Sequence, residues 1–295
     1  MRQIHELIDP VEPLEYNFAY NLLHNFFIGR GFIKAAVQHR PDTMAACEDP
    51  FNVAIFNYAL EDEGEVWPLP QTGQMQLEYE LLRDCHRNVP GLFCESTSYR
   101  QEPEAVVGRH NLIFPMFEFE MRGTMNDLRR LEINLLESAG FGEGNNFVGN
   151  SYQATAAHYG VRELTGDHEA MIGKEFGCVY FLEYFPEYTS PFWNMKREGN
   201  VAKKIDVILH GIETIGSAER STEPGEMRDR FHSISGGAYA KQLYARFTKK
   251  RVERALERFL SLPFIPRSGG GIGMNRWIRA LKLEGLMSNK KVKEF

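Results

Sequence analysis

The sequence predicts an α+β domain built on a mainly antiparallel sheet flanked by helices. Three observations lead to that class. Residues 113–122 alternate strictly, with Ile113, Pro115, Phe117, Phe119 and Met121 on one face and Phe114, Met116, Glu118 and Glu120 on the other; this is the two-residue period of a strand with distinct faces. The dipeptide His210-Gly211 sits between two apolar runs within 203–220, a spacing that folds a hairpin. Helical stripes are interspersed with strands that come as hairpins rather than as strand–helix–strand units. No repeat or low-complexity linker divides the 295 residues, so one domain covering 1–295 is expected.

Residues 14–30 carry Leu22, Leu23, Phe26 and Phe27 as the apolar stripe of a helix that stops near Gly29 and Gly31. Gly31-Phe32-Ile33 opens a short extended stretch, and an acidic turn at 61–64 precedes Pro68 and Pro70. Residues 74–87 return to helical spacing through Leu77, Leu81 and Leu82. Strands are expected over 92–102 and 113–122, and a helix over 126–139 with a start signal at Asn126. A hairpin over 203–220, a long helix over 236–260 and a short helix over 274–283, behind a glycine run, complete the prediction.

A net charge of -6 supplies no general basic field, which argues against a nucleic-acid-coating role. Cys47, Cys85, Cys94 and Cys178 form no CxxC pair, so the spacing argues against a zinc knuckle. The first 15 residues lack an apolar signal core, and no uncharged run is long enough to span a bilayer. A cytoplasmic protein with reduced thiols is the expectation.

Three constellations carry chemistry. In the first, over 98–121, Arg100 and Glu102 share a strand face, Arg109 and His110 end the following loop, and the returning strand presents Phe114 and Glu118. A guanidinium fork matches two phosphate oxygens, an aromatic ring stacks on a purine, and a carboxylate accepts from an exocyclic amine. Each part alone is ordinary: Arg-x-Glu is usually a solvated ion pair, and Phe114 alone reads as core. In the second, the hairpin sets Asp206 and Glu213 diagonally on one face, about 7–8 Å apart or less, where they can share Mg²⁺ bound to a triphosphate. In the third, Ser268-Gly-Gly-Gly-Ile-Gly-Met-Asn-Arg276 lets backbone approach a ligand. It is not a dinucleotide fingerprint, because Arg276 stands where the third glycine belongs, and it lacks the Gly-Lys-Ser/Thr of a P-loop.

Together these segments resemble motifs 2 and 3 of class II aminoacyl-tRNA synthetases of the aspartyl, asparaginyl and lysyl subgroup. Tyr99-Arg100-Gln101-Glu102 and Arg109-His110-Asn111-Leu112-Ile113-Phe114 stand for Phe-Arg-x-Glu and Arg-His-x-x-Glu-Phe. Gly271, Gly273 and Arg276 belong to Gly-x-Gly-x-Gly-x-x-Arg, and Asp206, Glu213, Gly216, Ser217 and Arg220 follow the segment between. The departures are Ile113 for Glu, Ser217 for Gly and Asn275 for Glu. The resemblance implies that Arg100 holds the α-phosphate and substrate carboxylate, Phe114 stacks on adenine, and Glu102 reads its amine. It further implies that Arg109, His110 and Arg276 reach the outer phosphates, Asp206 and Glu213 hold Mg²⁺, and Arg220 grips the substrate side chain. Arg220 would face away from Glu213 on a regular strand, so this reading requires a bulge or break near Gly216.

Ala46-Cys47-Glu48 and Thr72-Gly73-Gln74-Met75-Gln76-Leu77-Glu78 resemble substrate-loop segments of asparaginyl enzymes. By that likeness Glu48 would bind the α-ammonium, and Gln74 and Glu118 would belong to the substrate pocket. Leu77 stands where aspartyl enzymes place a charge-neutralising lysine, leaving Arg220 as the evident partner for a side-chain oxygen. Residues 31–34 begin like motif 1, which in the family builds a dimer interface, so a homodimer is implied. Only some 14 residues precede the first helix, too few for an anticodon-reading OB-fold.

The expected function is an ATP-dependent, AMP-forming ligase. It would adenylate an aspartate- or asparagine-like amino acid and pass the acyl group to ammonia or another amine, as the asparagine synthetases with their similar glycine run do. The alternatives are a tRNA ligase or tRNA modifier without an anticodon domain, and a non-catalytic amino-acid-binding paralogue.

Overall fold

The alternation at 113–122 becomes a strand near the middle of a large twisted sheet. The computed structural model describes residues 10–37, 42–46, 49–58, 65–83, 88–102 and 111–287. In chain order the elements are α1 (Pro13–Gly29), β1 (Ile33–Lys34), β2 (Ile55–Tyr58), β3 (Glu65–Pro68), α2 (Gln74–Leu82), β4 (Gly91–Tyr99), β5 (Ile113–Arg122) and α3 (Met125–Ala139). There follow β6 (Val148–Ser151), α4 (Tyr152–His158), α5 (Gly166–Glu175), β7 (Val179–Pro186), β8 (Arg197–Glu198), β9 (Val201–Leu209) and β10 (Ile212–Glu219). The chain ends with α6 (Pro224–Ser233), α7 (Ala238–Phe247), α8 (Lys249–Leu260), β11 (Arg267–Gly273) and α9 (Met274–Leu283).

The main sheet runs β1-β4-β5-β11-β10-β9-β7-β6, with β8 added to β9 and a separate β2–β3 hairpin. Only the β1/β4 and β6/β7 pairs are parallel among these strands, so the antiparallel prediction holds. The last strand, β11, inserts between β5 and β10. That insertion sets the three sequence constellations on adjacent strands although they lie far apart in the chain.

The alternation sorts the two faces. Phe93, Phe117, Phe119, Ile205, Val207, Ile215 and Ile272 join one core with Leu23 and Phe27 of α1, Leu128 and Leu135 of α3, and Trp277 and Leu281 of α9. Burying such a side chain contributes roughly 1.5–3 kcal/mol, which is why three helices cover this face and leave the other for a site. A second core gathers Trp193 with Phe231, Leu243 and Leu256 from α6, α7 and α8.

Several boundaries differ from expectation. Helix α3 starts at Met125 because Thr124 and Asp127 form a capping box. The helix expected over 236–260 is two helices, α7 and α8, broken at Thr248 with φ +65°; the buried positions lose phase there, with a five-residue step from Phe247 to Val252. The first expected strand ends at Tyr99, and α2 ends at Leu82. The glycine run is not a turn. Gly269, Gly270 and Gly271 lie inside β11, where a Cβ would collide with the Phe119 carbonyl and Glu120 carboxylate, with the Gly216 carbonyl, and with the Met116 methyl, respectively. Among the described residues no helix is long and apolar enough to cross a membrane.

Candidate active site

The face opposite the α1–α3–α9 core carries a cavity of about 900 Å³, lined by β5, β9, β10, β11, α2 and the start of α9. That volume is ample for a nucleotide-sized ligand. Phe114, Met116 and Glu118 of β5 line it, as the alternation predicts, together with Arg100, Glu102, Gln74, Gly216, Glu213, Arg220, Gly271, Gly273 and Arg276. Glu48, Arg109 and His110 lie outside the described residues.

At one end, Arg100 follows β4 and its guanidinium carbon stands 5.5 Å from the centre of the Phe114 ring. Its amide donates to the Leu112 carbonyl at 2.8 Å, and its Nε to Ser98 Oγ at 3.3 Å. These bonds place the cation and the ring side by side. Arg276, in the first turn of α9, donates from Nη1 to the Glu213 carbonyl at 2.7 Å.

The hairpin closes through His210 and Gly211, both at positive φ, and pairs Leu209 with Ile212 and Ile208 with Glu213 as expected. The register then shifts between Glu213 and Ile215, so that Gly216 faces Asp206. The bulge lies at Thr214, one turn of the pleat before Gly216. It brings Glu213 onto the face shared by Gly216 and Arg220, which resolves the parity conflict. A Cβ at Gly216 would sit 3.0 Å from Glu213 Oε1 and 3.6 Å from Asp206 Oδ1, so the missing side chain keeps open a space between two carboxylates. Asp206 is buried, and its Oδ1 has no hydrogen-bond partner among the described residues. Burial, then the nearby Glu213 carboxylate, push its pKa up to about 7.

Arg220 lies at the cavity floor in a buried charge network. Its Nε and Nη2 donate to the two oxygens of Glu120 at 3.3 and 3.2 Å, Nη2 also reaches the Gly269 carbonyl and Gln74 Oε1, and Nε stands 3.6 Å from Glu78 Oε1. Arg267 grips Glu78 from the other side, with Nε and Nη2 at 2.9 and 2.7 Å from Oε2. Burial raises the Glu120 carboxyl to about 7 against the opposing pull of Arg220. Gln74 is fixed by a 2.6 Å bond from Nε2 to the Gly270 carbonyl. Arg220 Nη1 makes no hydrogen bond among the described residues and remains available to a ligand oxygen.

Glu118 is buried at the cavity wall and accepts from Thr72 Oγ1, Ser96 Oγ and the Gly73 amide. It lines the cavity, and its carboxylate secures the loop that precedes Gln74. Leu77 is fully buried beside Val37, Leu81, Leu92 and Cys94 and is not part of the cavity lining.

Three groups escaped sequence reasoning. Lys204 lines the cavity, donates from Nζ to Asp206 Oδ2 at 2.7 Å and lies 4.0 Å from the Phe185 ring centre. Its i, i+2 spacing to Asp206 was the available signal. Glu78 and Arg279 also line the cavity; each is one helical turn from a residue already singled out, Gln74 and Arg276.

Residues 63–289 match the model of the family described as tRNA synthetases class II (D, K and N). The chain belongs to this family. An aspartate–tRNA(Asp) ligase of Pyrobaculum aerophilum is 27% identical to it over 124 residues, covering 40% of this chain and 25% of the relative. The structure of asparaginyl-tRNA synthetase from Pyrococcus horikoshii complexed with asparaginyl-adenylate matches with a TM-score of 0.66 at 19% identity, over 92% of this chain and 65% of the other. The Entamoeba histolytica asparaginyl-tRNA synthetase in complex with asparaginyl-adenylate gives 0.64 at 17%, over 94% and 64%. The chain thus spans about a quarter of the curated relative and just under two thirds of each of these solved chains. At such identities the structural likeness establishes the class II synthetase fold.

Proposed function

We propose that this class II domain joins ATP and an aspartate- or asparagine-like amino acid into an aminoacyl-adenylate, releasing pyrophosphate. The observation that carries the reading is the convergence of Arg100, Phe114, Glu213, Arg276 and Arg220 on one cavity, with the buried Asp206 set beside Gly216 of the same lining. The substrate carboxylate oxygen attacks the α-phosphorus, a new O–P bond forms, and the bond to the β-phosphate oxygen breaks with pyrophosphate as leaving group. Arg100 neutralises charge growing on the α-phosphate, Phe114 and Glu102 hold the adenine, and Arg276 steadies the outer phosphates. Positioning and charge stabilisation do the work without a protein nucleophile.

The acidic pair fits Mg²⁺: Asp206 Oδ1 is buried and unpartnered, Glu213 lies across the gap kept by Gly216, and both offer the hard oxygens this ion takes. The ion, when bound, supplies charge neutralisation of the phosphates. The open Nη1 of Arg220 accommodates a side-chain carbonyl or carboxylate of the amino acid.

The tRNA ligases among the relatives favour tRNA over ammonia as acceptor, and so support the ligase or tRNA-modifier alternative above the asparagine-synthetase-like reading. Residues 31–34 at the sheet edge, with Ile33 exposed, support a homodimer through that edge. The test is ATP–pyrophosphate exchange across the twenty amino acids, followed by single-turnover reaction of the adenylate with tRNA, ammonia and small amines. Absence of exchange with every amino acid overturns the activity, and consumption by ammonia alone overturns the acceptor assignment.

A further inference from the structure

A second cluster lies at the hairpin tip and uses none of the residues assigned to adenylation. Cys178 immediately precedes β7, His210 is the first residue of the β9–β10 turn, and Glu284 caps the end of α9. One ligand atom from each lies within 4.8 Å of the others. His210 Nε2 is 2.9 Å from Glu284 Oε2, yet it is buried and makes no hydrogen bond of good geometry. The two groups are brought close without the direction a hydrogen bond requires.

The backbone holds this arrangement. The His210 amide donates to the Cys178 carbonyl at 2.9 Å, and the His210 carbonyl accepts from Arg279 Nη2 at 3.3 Å. His210 has φ +47° beside Gly211 at +77°. Histidine, like asparagine, tolerates this left-handed turn position, and here its imidazole lies beside a thiol and a carboxylate. The three ligands come from stretches 32 and 74 residues apart (178 to 210, 210 to 284), which is why a search for CxxC spacing does not find them.

We propose that Cys178, His210 and Glu284 form a binding site for one transition-metal dication, with Zn²⁺ the best match. Thiolate, imidazole and carboxylate are its usual ligands, and three protein ligands leave a fourth tetrahedral position for water. The site is structural. It ties the hairpin that presents Asp206 and Glu213 to the far end of the helix that presents Arg276, which lies eight residues or about 12 Å away along α9. It shares no ligand with the Asp206–Glu213 pair and stands independently of the adenylation chemistry.

The test uses the full chain, stripped with a chelator and titrated with Zn²⁺ against a chromophoric competitor. Co²⁺ serves as a second probe, through its thiolate charge-transfer absorption. One tight equivalent is expected, with a rise in melting temperature on adding Zn²⁺. Cys178→Ser should remove the charge-transfer band and weaken binding by about 100-fold or more, and His210→Asn and Glu284→Gln should each weaken it. Circular dichroism of the metal-free variants checks that they fold. No saturable binding, or an equivalent that survives all three substitutions in folded protein, overturns the site.

Discussion

Arg276 leans on Glu213 in two ways: its Nη1 donates to the Glu213 main-chain carbonyl at 2.7 Å and stands 3.9 Å from the Glu213 carboxylate. Helix α9 is thereby docked on the bulge that sets the acidic pair. Both side chains are more than a third exposed, so the contact contributes little to folding. Its consequence under the proposed adenylation lies in catalysis, with the guanidinium on the outer phosphates. Arg276→Ala should lower kcat/KM for ATP–pyrophosphate exchange by about 10²–10³-fold and change stability by less than about 0.5 kcal/mol. Exchange at the wild-type rate would remove Arg276 from the phosphate site.

The buried network predicts the opposite balance. Glu78 is shared by Arg267 and Arg220 and is almost fully inaccessible. Glu78→Ala would leave two buried guanidiniums short of a partner, a loss of about 3–5 kcal/mol. Glu78→Gln keeps the acceptor and should lose less. Urea denaturation of the two variants gives the comparison; equal stability of Glu78→Ala and wild type would show that the network is not energetically coupled.

Much of this architecture is legible in the chain. The faces of 113–122, the His210-Gly211 turn and the need for a bulge near Gly216 follow from periods of two and from parity. What stays hidden depends on long-range pairing. Nothing local says that Gly269, Gly270 and Gly271 form the strand between β5 and β10, because glycine is a poor strand former and its value here is the space it leaves for Met116 and Glu120. Residues 140–202 gave no element from pattern alone and fold into β6, α4, α5, β7 and β8. There β7 is an apolar run buried at both ends, and such a run carries no alternation to read. Leu77 shows what packing adds to motif likeness: the sequence says that no lysine stands there, and the fold sets the leucine in the core.

Glu132 of α3 predicts a pH dependence. The residue is completely buried, and neither carboxylate oxygen makes a hydrogen bond of good geometry. Burial raises its pKa to about 8. The folded state therefore holds this proton more tightly than the unfolded state, whose carboxyl titrates in the ordinary range. Stability associated with Glu132 is intact in acid and is lost as pH rises through the interval up to about 8. Glu132→Gln should remove that slope, with a gain of about 2–4 kcal/mol at pH 8 and little change at pH 5. Because Glu120 titrates in the same interval, the test is the difference between variant and wild type in urea denaturation at each pH. An unchanged difference from pH 5 to pH 8 would show that Glu132 is not the group.

Lys204 raises the question of how the pocket senses charge. Helix α2 offers no cation there, since Leu77 is in the core. Instead a lysine enters from β9, two residues before Asp206, held between Asp206 Oδ2 and the Phe185 ring. It can neutralise Asp206 or reach an anionic group on the amino acid, and the two roles separate kinetically. If it reads the substrate, Lys204→Met should raise the amino-acid KM about tenfold or more, the loss of one charge-assisted hydrogen bond of about 1.5–3 kcal/mol, and shift preference from an acidic toward an amide side chain. The ATP KM should then move less than about twofold, and Lys204→Arg should recover part of the effect. If it serves Asp206 alone, both KM values hold and the Mg²⁺ concentration needed for half-maximal exchange changes instead. Lys204 and Arg220 line the same cavity, so the first outcome is expected, and exchange rates with aspartate and asparagine measured side by side decide it.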